Sequence, residues 1–404
     1  MSDAAIPAVT PAIRELRERY AAFMDAHVYP NEAAFARGDD ASQELIADVR
    51  RRAREAGLWA PHIRPEAGGT GQGFLTYAFL NEQIGRSYWG QLAFGCQAPD
   101  AGNGEILALA GTAEQKSAWL APLVAGDVRS FFGMTEPEVS GADPTGLESR
   151  ASEDGDAWLI DGHKWFSTGA DGAAFGIVMA VTDPEAPPRE RMSLIVVPAD
   201  TPGVEVVRRI EVFGHEGRGW DSHCEVRLAG VRVPLANTLG KRGDGFRLAQ
   251  LRLGPGRIHH AMRWIGQMQR AFDLMCARSL ERTAFGEPLA EKGAVQTWIA
   301  DSAAQITACR LMTLAAAGKI DRGEDARVAI SLIKHFAAAA LHDVIDRAIQ
   351  VHGALGVSGD SPLAAMYLGA RHARILDGPD EVHRMVVARR ILERYRSGDG
   401  WSFE

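Results

Sequence analysis

The sequence predicts an α+β protein of three domains: an N-terminal α-helical domain over residues 1–130, a middle antiparallel β-barrel domain over 131–240, and a C-terminal four-helix bundle over 241–404. Three observations support this prediction. The 404 residues exceed what one ordinary hydrophobic core accommodates. Apolar residues recur at helical spacing in the first and last parts of the chain. Short apolar runs separated by turn residues fill the middle.

The first third is predicted to be helical. An apolar stripe at intervals of three or four residues runs from Ile13 to Phe23, and Pro30 ends it. Ser42 is a candidate cap for a second helix, and Gly57 lies just past the end of that helix. Further helical stretches are predicted over 77–86 and 113–124.

The middle of the chain changes character near residue 131. Strand-type segments are predicted over 158–160, 177–181, 193–197, 204–207 and 224–228. Turn residues separate them, and no helix-type segment lies between them. Local connections of this kind favour an antiparallel sheet or barrel over a parallel βαβ sheet.

Long amphipathic runs return after about residue 246. They cover 257–282, 294–317, 326–352 and 381–395. Four such runs joined by short loops indicate an antiparallel helical bundle.

Composition limits the classes of function. The formal charge of −8 disfavours a general nucleic-acid binder, because a polyanion needs a cationic face. The sequence contains no run of 18 apolar residues, so no membrane span is predicted. The first residues resemble neither a secretory signal nor a transit peptide. The four cysteines are scattered without a CxxC pair, which predicts reduced thiols in a cytoplasmic protein.

Near the carboxyl end, Asp377 precedes Gly378-Pro379 and a helix-like run over 386–395. Such strings are most often turns or helix caps. A short acid at such a turn also has limited rotation and lies beside the open amides of a helix start, so it can act as a positioned base. The segment alone leaves both interpretations open.

Two upstream segments carry residues that suit a planar cofactor. The segment 158–169 predicts a β-hairpin with a core tryptophan, or alternatively places Trp165 against a cofactor ring with the Ser167 hydroxyl near a ring nitrogen. The segment 132–141 predicts a plain strand and turn, or a run of backbone amides and small hydroxyls that suits a flavin and a pyrophosphate.

Other cofactor sites are not predicted. The chain has no P-loop, no GxGxxG that follows a strand and opens a helix, and no Glu-x-x-His pair for a di-iron bundle. The histidines of the predicted bundle are interpreted as helix-surface or core polar groups rather than metal ligands: His259, His260, His335 and His342.

Five segments in the same order and spacing resemble the acyl-CoA dehydrogenase family, and the resemblance covers about residues 10–395. They are FGMTEP at 132–137, KWFSTG at 164–169, ERTAFG at 281–286, IQVHGALGV at 349–357, and the terminal turn with its helix. The resemblance implies FAD bound non-covalently between the β domain and the bundle. It also implies at least a homodimer, most often a homotetramer, and electron transfer to an electron-transferring flavoprotein.

The resemblance assigns residue roles at matching positions. Phe132, Met134 and Thr135 would contact the flavin, and Ser140 and Gly141 the pyrophosphate region. Trp165 would lie on the ring with Ser167 near N5. The remaining cofactor positions are Arg282, Phe285, Gln350 and Gly353, which resemble residues that reach the FAD of a neighbouring subunit, and Pro379 and Glu381, which replace a threonine and a glutamine near the flavin.

The base position departs from the usual pattern of the family, which has Glu followed by Gly-Thr. Asp377 stands there and is one methylene shorter, about 1.5 Å. Some members carry the base on a bundle helix beside an arginine that matches Arg257, but the stretch 253–260 has no carboxylate. Asp377 is therefore the predicted base, with Arg257 and Gly378 as substrate-binding residues. The DGPDEVH form resembles a subgroup with Asp at this position.

The resemblance implies FAD-dependent α,β-dehydrogenation of an acyl-CoA to the trans-2-enoyl-CoA, as in fatty-acid β-oxidation. Asp377 would take the α-proton and flavin N5 the β-hydride. Medium- or long-chain substrates, or acyl-CoAs with a 4-hydroxy or 4-phospho group, are expected. Two alternatives stay open: a CoA-independent flavin oxidase of the same fold, such as a nitroalkane oxidase, and a non-catalytic flavoprotein that serves as a binding factor.

Overall fold

The computed structural model describes residues 7–401. The described chain divides into two compact units: one comprises residues 7–32, 72–91 and 256–401, and the other 33–71 and 92–255. The order of a helical, a sheet and a second helical region confirms the predicted fold class. The predicted domain limits at residues 130 and 240 stay a prediction.

Eight α-helices precede the sheet in the part of the chain that begins at residue 7. They are α1 Pro11–Phe23, α2 Glu32–Phe35, α3 Asp40–Glu55, α4 Phe74–Ile84, α5 Gly90–Ala93, α6 Asp100–Ala110, α7 Ala113–Gln115 and α8 Ala121–Ala125, with π-helical turns at Met24–Val28 and Lys116–Leu120. The prediction of Ser42 as a helix cap is wrong. Asp39 caps α3, because its Oδ1 accepts the Ser42 N–H at 2.8 Å and the Ser42 hydroxyl at 2.6 Å.

The sheet contains eight strands: β1 Ser130–Gly133, β2 Arg150–Asp154, β3 Ala157–Thr168, β4 Phe175–Val181, β5 Met192–Pro198, β6 Val204–Arg209, β7 His223–Pro234 and β8 Thr238–Leu239. The strand order is β6-β7-β3-β2-β4-β5-β8, and β1 pairs with β4. Most pairings are antiparallel, whereas β4 pairs in parallel with β1 and, at one position, with β2. Strand β4 is buried throughout, as expected for a strand with both faces covered.

The core of the sheet unit explains one glycine. Phe131 lies in a cluster with Trp158 and Ile160, and all three are buried. A Cβ on Gly176, in the neighbouring β4, would lie 2.2 Å from the Phe131 ring. Only glycine therefore allows the phenylalanine to occupy this position beneath the motif that follows β1.

The remaining elements are α9 Gly245–Glu281, the hairpin strands β9 Thr283–Ala284 and β10 Glu287–Pro288, and the helices α10 Gly293–Asp321, α11 Arg327–His352, α12 Ala354–Val357, α13 Leu363–Ala373 and α14 Asp380–Ser397. In the unit that contains the C-terminus, α11 packs against α10, α13 and α14, and α4 packs against α1 and α10. Helix α9 begins well before the predicted residue 257 and continues through Pro255.

Helix α11 is, within residues 7–401, the one helix whose length and hydropathy would allow it to cross a membrane. More than half of that apolar stretch is buried inside the protein. Its apolar side chains are used in packing against the neighbouring helices of the bundle.

Close backbone contact fixes α9 against α4. A Cβ on Gly85 would lie 2.3 Å from Cα of Arg263, and a Cβ on Gly266 would lie 2.2 Å from the carbonyl oxygen of Glu82. A side chain at either glycine would separate the two helices. This contact sets which face of α9 points toward the end of α13.

Candidate active site

The turn between α13 and α14 holds Asp377 in an uncommon backbone conformation. Asp377 has φ +52° and Gly378 has φ +98°, so two consecutive residues are left-handed. Asp tolerates this region better than most residues, but such a conformation still costs about 1–3 kcal/mol and is frequent at functional sites. A Cβ on Gly378 would lie 3.0 Å from Nε2 of His383, so glycine is favoured there for space as well.

Two side chains hold the backbone of this turn. The carbonyl oxygen of Asp377 accepts hydrogen bonds from Nε of Arg257 at 2.9 Å and from Nε2 of His383 at 3.2 Å. These donors come from α9 and α14, so the turn is tied to two helices. The contacts compensate for the strained backbone and fix the direction in which the Asp377 side chain leaves the chain.

The Asp377 carboxyl group contacts a histidine. Its Oδ2 lies 3.3 Å from Nε2 of His260 on α9, and the side chain is 25% exposed. A Cβ on Gly256 would lie 3.9 Å from the same oxygen, so the backbone of α9 passes close to the carboxyl group. The arrangement leaves the carboxyl group accessible but held by a neighbour.

A buried ion pair between Lys334 and Asp380 lies next to the Asp377 turn. Nζ of Lys334 donates to the carbonyl oxygen of Ala373 at 2.9 Å and lies 3.9 Å from Oδ1 of Asp380. Nε of Arg374 donates to Oδ2 of Asp380 at 2.8 Å. Lys334 and Asp380 are both buried. These contacts join the end of α13 to the first residue of α14. They therefore fix the distance between the two helix ends that the Asp377 turn connects.

Burial controls the charges around the carboxylate. It lowers the pKa of Lys334 to about 8 and that of His383 to about 4, and it also lowers the pKa of His260. Near pH 7 the two histidines are therefore neutral, and Lys334 keeps most of its charge. Arg257 and Lys334 are cations whose charges act on the Asp377 carboxylate.

In the sheet unit, a second buried ion pair joins the two segments predicted to hold a cofactor. Nζ of Lys164 lies 2.6 Å from Oε1 of Glu136 and also donates to the carbonyl oxygens of Met134 and Met179. Lys164 and Glu136 are both buried. The backbone N–H of the neighbouring Trp165 donates to the carbonyl oxygen of Thr135 at 2.9 Å. The segment after β1 and the end of β3 are therefore fixed to each other.

Comparison with known proteins identifies the family. The family descriptions "Acyl-CoA dehydrogenase, N-terminal domain", "middle domain" and "C-terminal domain" match residues 10–127, 131–231 and 243–392. The chain belongs to the acyl-CoA dehydrogenase family. This family is one of FAD-dependent oxidoreductases, so the family, the enzyme class and the cofactor predicted from the sequence are confirmed. The subgroup with an Asp base stays a prediction.

Individual relatives agree with this family assignment. The chain is 44% identical to the "Probable acyl-CoA dehydrogenase FadE2" of Mycobacterium tuberculosis over 95% of this chain and 96% of that protein. It is 42% identical to "Acyl-CoA dehydrogenase family member 10" of Mus musculus over 95% of this chain, but it spans only 37% of that longer protein. The structure of a putative acyl-CoA dehydrogenase from Mycobacterium abscessus superposes with a TM-score of 0.90 at 42% identity, covering 96% of this chain and 100% of that chain.

The sheet unit of this acyl-CoA dehydrogenase fits a flavin. A β-bulge lies between Lys164 and Ser167, and Phe166 within it has φ +51°. The Ser167 hydroxyl is buried and has no hydrogen-bond partner within residues 7–401, so a polar edge of a ligand could satisfy it. A Cβ on Gly141 would lie 3.2 Å from Cγ2 of Thr135, so the loop folds back closely on the strand end.

The other predicted FAD positions occupy several surfaces. In the sheet unit, Phe132 and Met134 are partly buried, whereas Ser140 and Gly141 are exposed. Arg282 and Phe285 lie at the β9–β10 hairpin, with Phe285 99% exposed, and Gln350 and Gly353 lie exposed at the end of α11. Pro379 is the N-cap of α14, and Glu381 is exposed in its first turn.

Arg257 on α9 contacts the turn that contains Asp377 and Gly378, and the roles predicted for these three residues stay predictions. The sequence interpretation missed His260. It treated His259 and His260 alike. His259 is indeed a core group, 2% exposed, with its ring stacked on Phe74 at 5.3 Å. His260 instead contacts the Asp377 carboxylate. A signal for it existed, because a residue three positions after Arg257 shares its helix face.

Proposed function

We propose that this enzyme oxidises an acyl-CoA thioester to the trans-2-enoyl-CoA, with Asp377 as the base that removes the α-proton. The observation that carries the proposal is the Asp377 carboxylate, held by a left-handed turn whose carbonyl oxygen accepts from Arg257 and His383. A base must approach one carbon atom with a fixed geometry, and a carboxylate on a fixed turn meets that need.

FAD, held by the segments that contain Thr135 and Ser167, would supply the two-electron oxidant. The protein must then acidify the α-carbon by hydrogen bonds to the thioester oxygen. The Gly378 N–H is available for this role, because it donates to no acceptor within residues 7–401. Arg257 would hold the turn and, through its charge, favour the anionic form of the Asp377 carboxyl group.

For the substrate, we propose an acyl-CoA of medium or long chain in fatty-acid β-oxidation, and we include acyl-CoAs with a 4-hydroxy or 4-phospho group. The DGPDEVH segment, which resembles the Asp-type subgroup, supports this extension. The charges of Arg257 and Lys334 near the turn also favour a substrate with an additional anionic group.

We propose a homodimer or homotetramer that passes electrons to an electron-transferring flavoprotein in the cytoplasm. The exposed Phe285 ring supports the assembly, because an aromatic side chain that is 99% exposed gains most by burial against a partner. Within residues 7–401, Cys224, Cys276 and Cys309 form no disulfide bond, which supports a reducing compartment.

An anaerobic titration tests the reaction. Purified enzyme with FAD is mixed with a panel of acyl-CoAs of different chain length, with and without 4-hydroxy and 4-phospho groups, and with nitroalkanes. Bleaching of the oxidised flavin by an acyl-CoA, with formation of the enoyl-CoA, is the expected result. Bleaching by nitroalkanes alone, with peroxide release in air, would identify a CoA-independent oxidase. Bleaching by no compound would favour a binding factor.

The Asp377→Asn variant tests the base. It keeps the size of the side chain but cannot accept a proton, so we expect normal FAD content and a fall in turnover of about 10³-fold. Deuterium exchange at the α-carbon of a bound acyl-CoA should fall with it. Turnover close to that of the wild type would remove Asp377 from the reaction.

A further inference from the structure

We propose that His260 is a positioning residue that donates its Nε2–H to Oδ2 of Asp377 and so directs the other carboxylate oxygen, Oδ1, toward the substrate. The inference rests on the proposed function and names a second residue for it. Its basis is the 3.3 Å separation of the two groups, together with the contact at the other ring nitrogen of the histidine.

The neighbours of His260 determine which of its two ring nitrogens carries the proton. Nδ1 lies 3.4 Å from Nη2 of Arg263. A guanidinium group can donate but not accept, so Nδ1 must present its lone pair to Arg263. The proton of the neutral imidazole is then on Nε2, the nitrogen that faces Asp377. Arg263 itself is held by a 2.6 Å hydrogen bond from Nη1 to Oε1 of Gln91, so the tautomer is set by a fixed donor.

Packing fixes the plane of the ring. His260 stacks on Trp264, with the ring centroids 5.6 Å apart and an interplanar angle of 24°. The ring is therefore held on one side by an aromatic surface and at both nitrogens by polar partners. Such a donor can hold the carboxylate of Asp377 within the narrow range of geometry that proton abstraction requires.

The short side chain of Asp377 makes such a donor necessary. Rotation about χ2 of an aspartate is soft, so an unrestrained carboxylate would exchange its two oxygens and spread over a broad range of angles. A donor at Oδ2 selects one plane. The residue before Arg257 on this helix is Gly256, which brings no side chain to compete for that oxygen.

The burial of the ring also favours its neutral form. Burial lowers the pKa of His260, and the nearby Arg263 lowers it further. The charged or titratable groups that face Asp377 and His260 from the packed elements are Arg257 and Arg263 on α9, Lys334 on α11 and His383 on α14. Lys334 titrates near pH 8 and His383 near pH 4, so neither changes charge between about pH 5 and 7.

Three substitutions test the donor. His260→Gln can place an amide N–H close to the position of Nε2, His260→Asn is too short to do so, and His260→Leu removes the donor. We expect kcat to fall about 100-fold in the leucine and asparagine variants, with KM changed little, and glutamine to recover to within about tenfold of the wild type. His342→Leu, at a partly buried histidine of α11 packed on Tyr367, serves as the control.

The pH profile separates positioning from a merely structural role. Loss of a donor to the carboxylate disfavours its charged form, so the acid limb of kcat/KM should move to higher pH by about one unit in His260→Leu and by less in His260→Gln. A leucine variant with the kcat and pH profile of the wild type would overturn the proposal. So would equal impairment of the leucine and glutamine variants.

A measurement on the resting enzyme is independent of turnover. Nitrogen NMR of the FAD-loaded protein labelled with ¹⁵N-histidine should show the Nε2–H tautomer for the resonance that disappears in His260→Gln, and Asp377→Asn should shift that resonance. An Nδ1–H tautomer would refute the hydrogen bond. If no acyl-CoA reduced the wild-type flavin, the reaction would be wrong, whereas the tautomer would still report on the contact between His260 and Asp377.

Discussion

Replacing Asp377 by glutamate provides a quantitative test of the site. The substitution restores the acid that the family usually has at this position, so sequence likeness alone predicts equal or better activity. The structure predicts the opposite. The added methylene extends the side chain by about 1.5 Å. Oδ2 of Asp377 is already 3.3 Å from Nε2 of His260, so an extension in that direction would bring the two groups to about 1.8 Å, well inside contact distance.

The backbone of the turn cannot absorb this extension. Its carbonyl oxygen is held by Arg257 at 2.9 Å and by His383 at 3.2 Å, and the residue is left-handed. The glutamate side chain must therefore swing away from His260 by about 1 Å or more. A misplacement of that size costs about 100-fold in rate, or about 2.7 kcal/mol.

Steady-state kinetics with the best acyl-CoA of the panel measures this effect. We expect Asp377→Glu to lose about 100-fold in kcat, less than Asp377→Asn. The double variant Asp377→Glu, His260→Ala removes the obstructing ring but also the donor, so we expect a loss of about 100-fold, no larger than that of either single variant. The two substitutions would then be strongly non-additive. Full activity of the single glutamate variant would refute the claim that this turn is built for the shorter acid.

Other parts of the chain give three further predictions. Lys164→Met leaves the buried Glu136 carboxylate without its cation. We expect thermal unfolding to show a free energy of unfolding that is lower by about 3 kcal/mol, together with loss of FAD. Adding Glu136→Gln should partly restore both the stability and the FAD content. His383 has a folded-state pKa of about 4, below the unfolded value of about 6.5, so the unfolded chain binds more protons between these limits. Stability should therefore fall as the pH is lowered from about 6.5 to 4, by up to about 3 kcal/mol, and the urea midpoint of His383→Gln should depend less on pH. Phe285→Ala should shift the assembly toward smaller species in sedimentation, whereas an unchanged distribution would remove the hairpin from the interface.

Much of the fold follows from local sequence patterns. The segments predicted at 177–181 and 193–197 lie within β4 and β5, because continuous apolar runs bounded by turn residues allow few other structures. The start of α9 could not be predicted in this way. The sequence Leu253-Gly-Pro-Gly contains helix-breaking residues, yet the helix passes through Pro255, since packing of the surrounding elements can outweigh local propensity. The short helix α6 was missed as well.

The candidate site was predictable where a motif carries the chemistry. The Gly-Pro turn and the following helix are local features that draw attention to Asp377, and the family resemblance assigns it the role of base, which stays a prediction. The contacts of His260, Lys334 and Asp380 depend on how α9 and α11 approach the turn, and that approach is set by glycine contacts such as Gly85 against Arg263. A close helix crossing of this kind leaves no periodic signal in a single sequence.

The proposed base is one methylene shorter than glutamate, and the backbone conformation of this turn compensates for the difference. The left-handed conformation at Asp377 costs about 1–3 kcal/mol, and two charge-assisted or polar hydrogen bonds to its carbonyl oxygen can return an amount of that order. The buried pair of Lys334 and Asp380 fixes the ends of the two helices that the turn connects. Because the turn is fixed at both ends and at its carbonyl group, the position of its carboxylate is set by the fold. A longer acid would then be misplaced by the same contacts that make the shorter one effective.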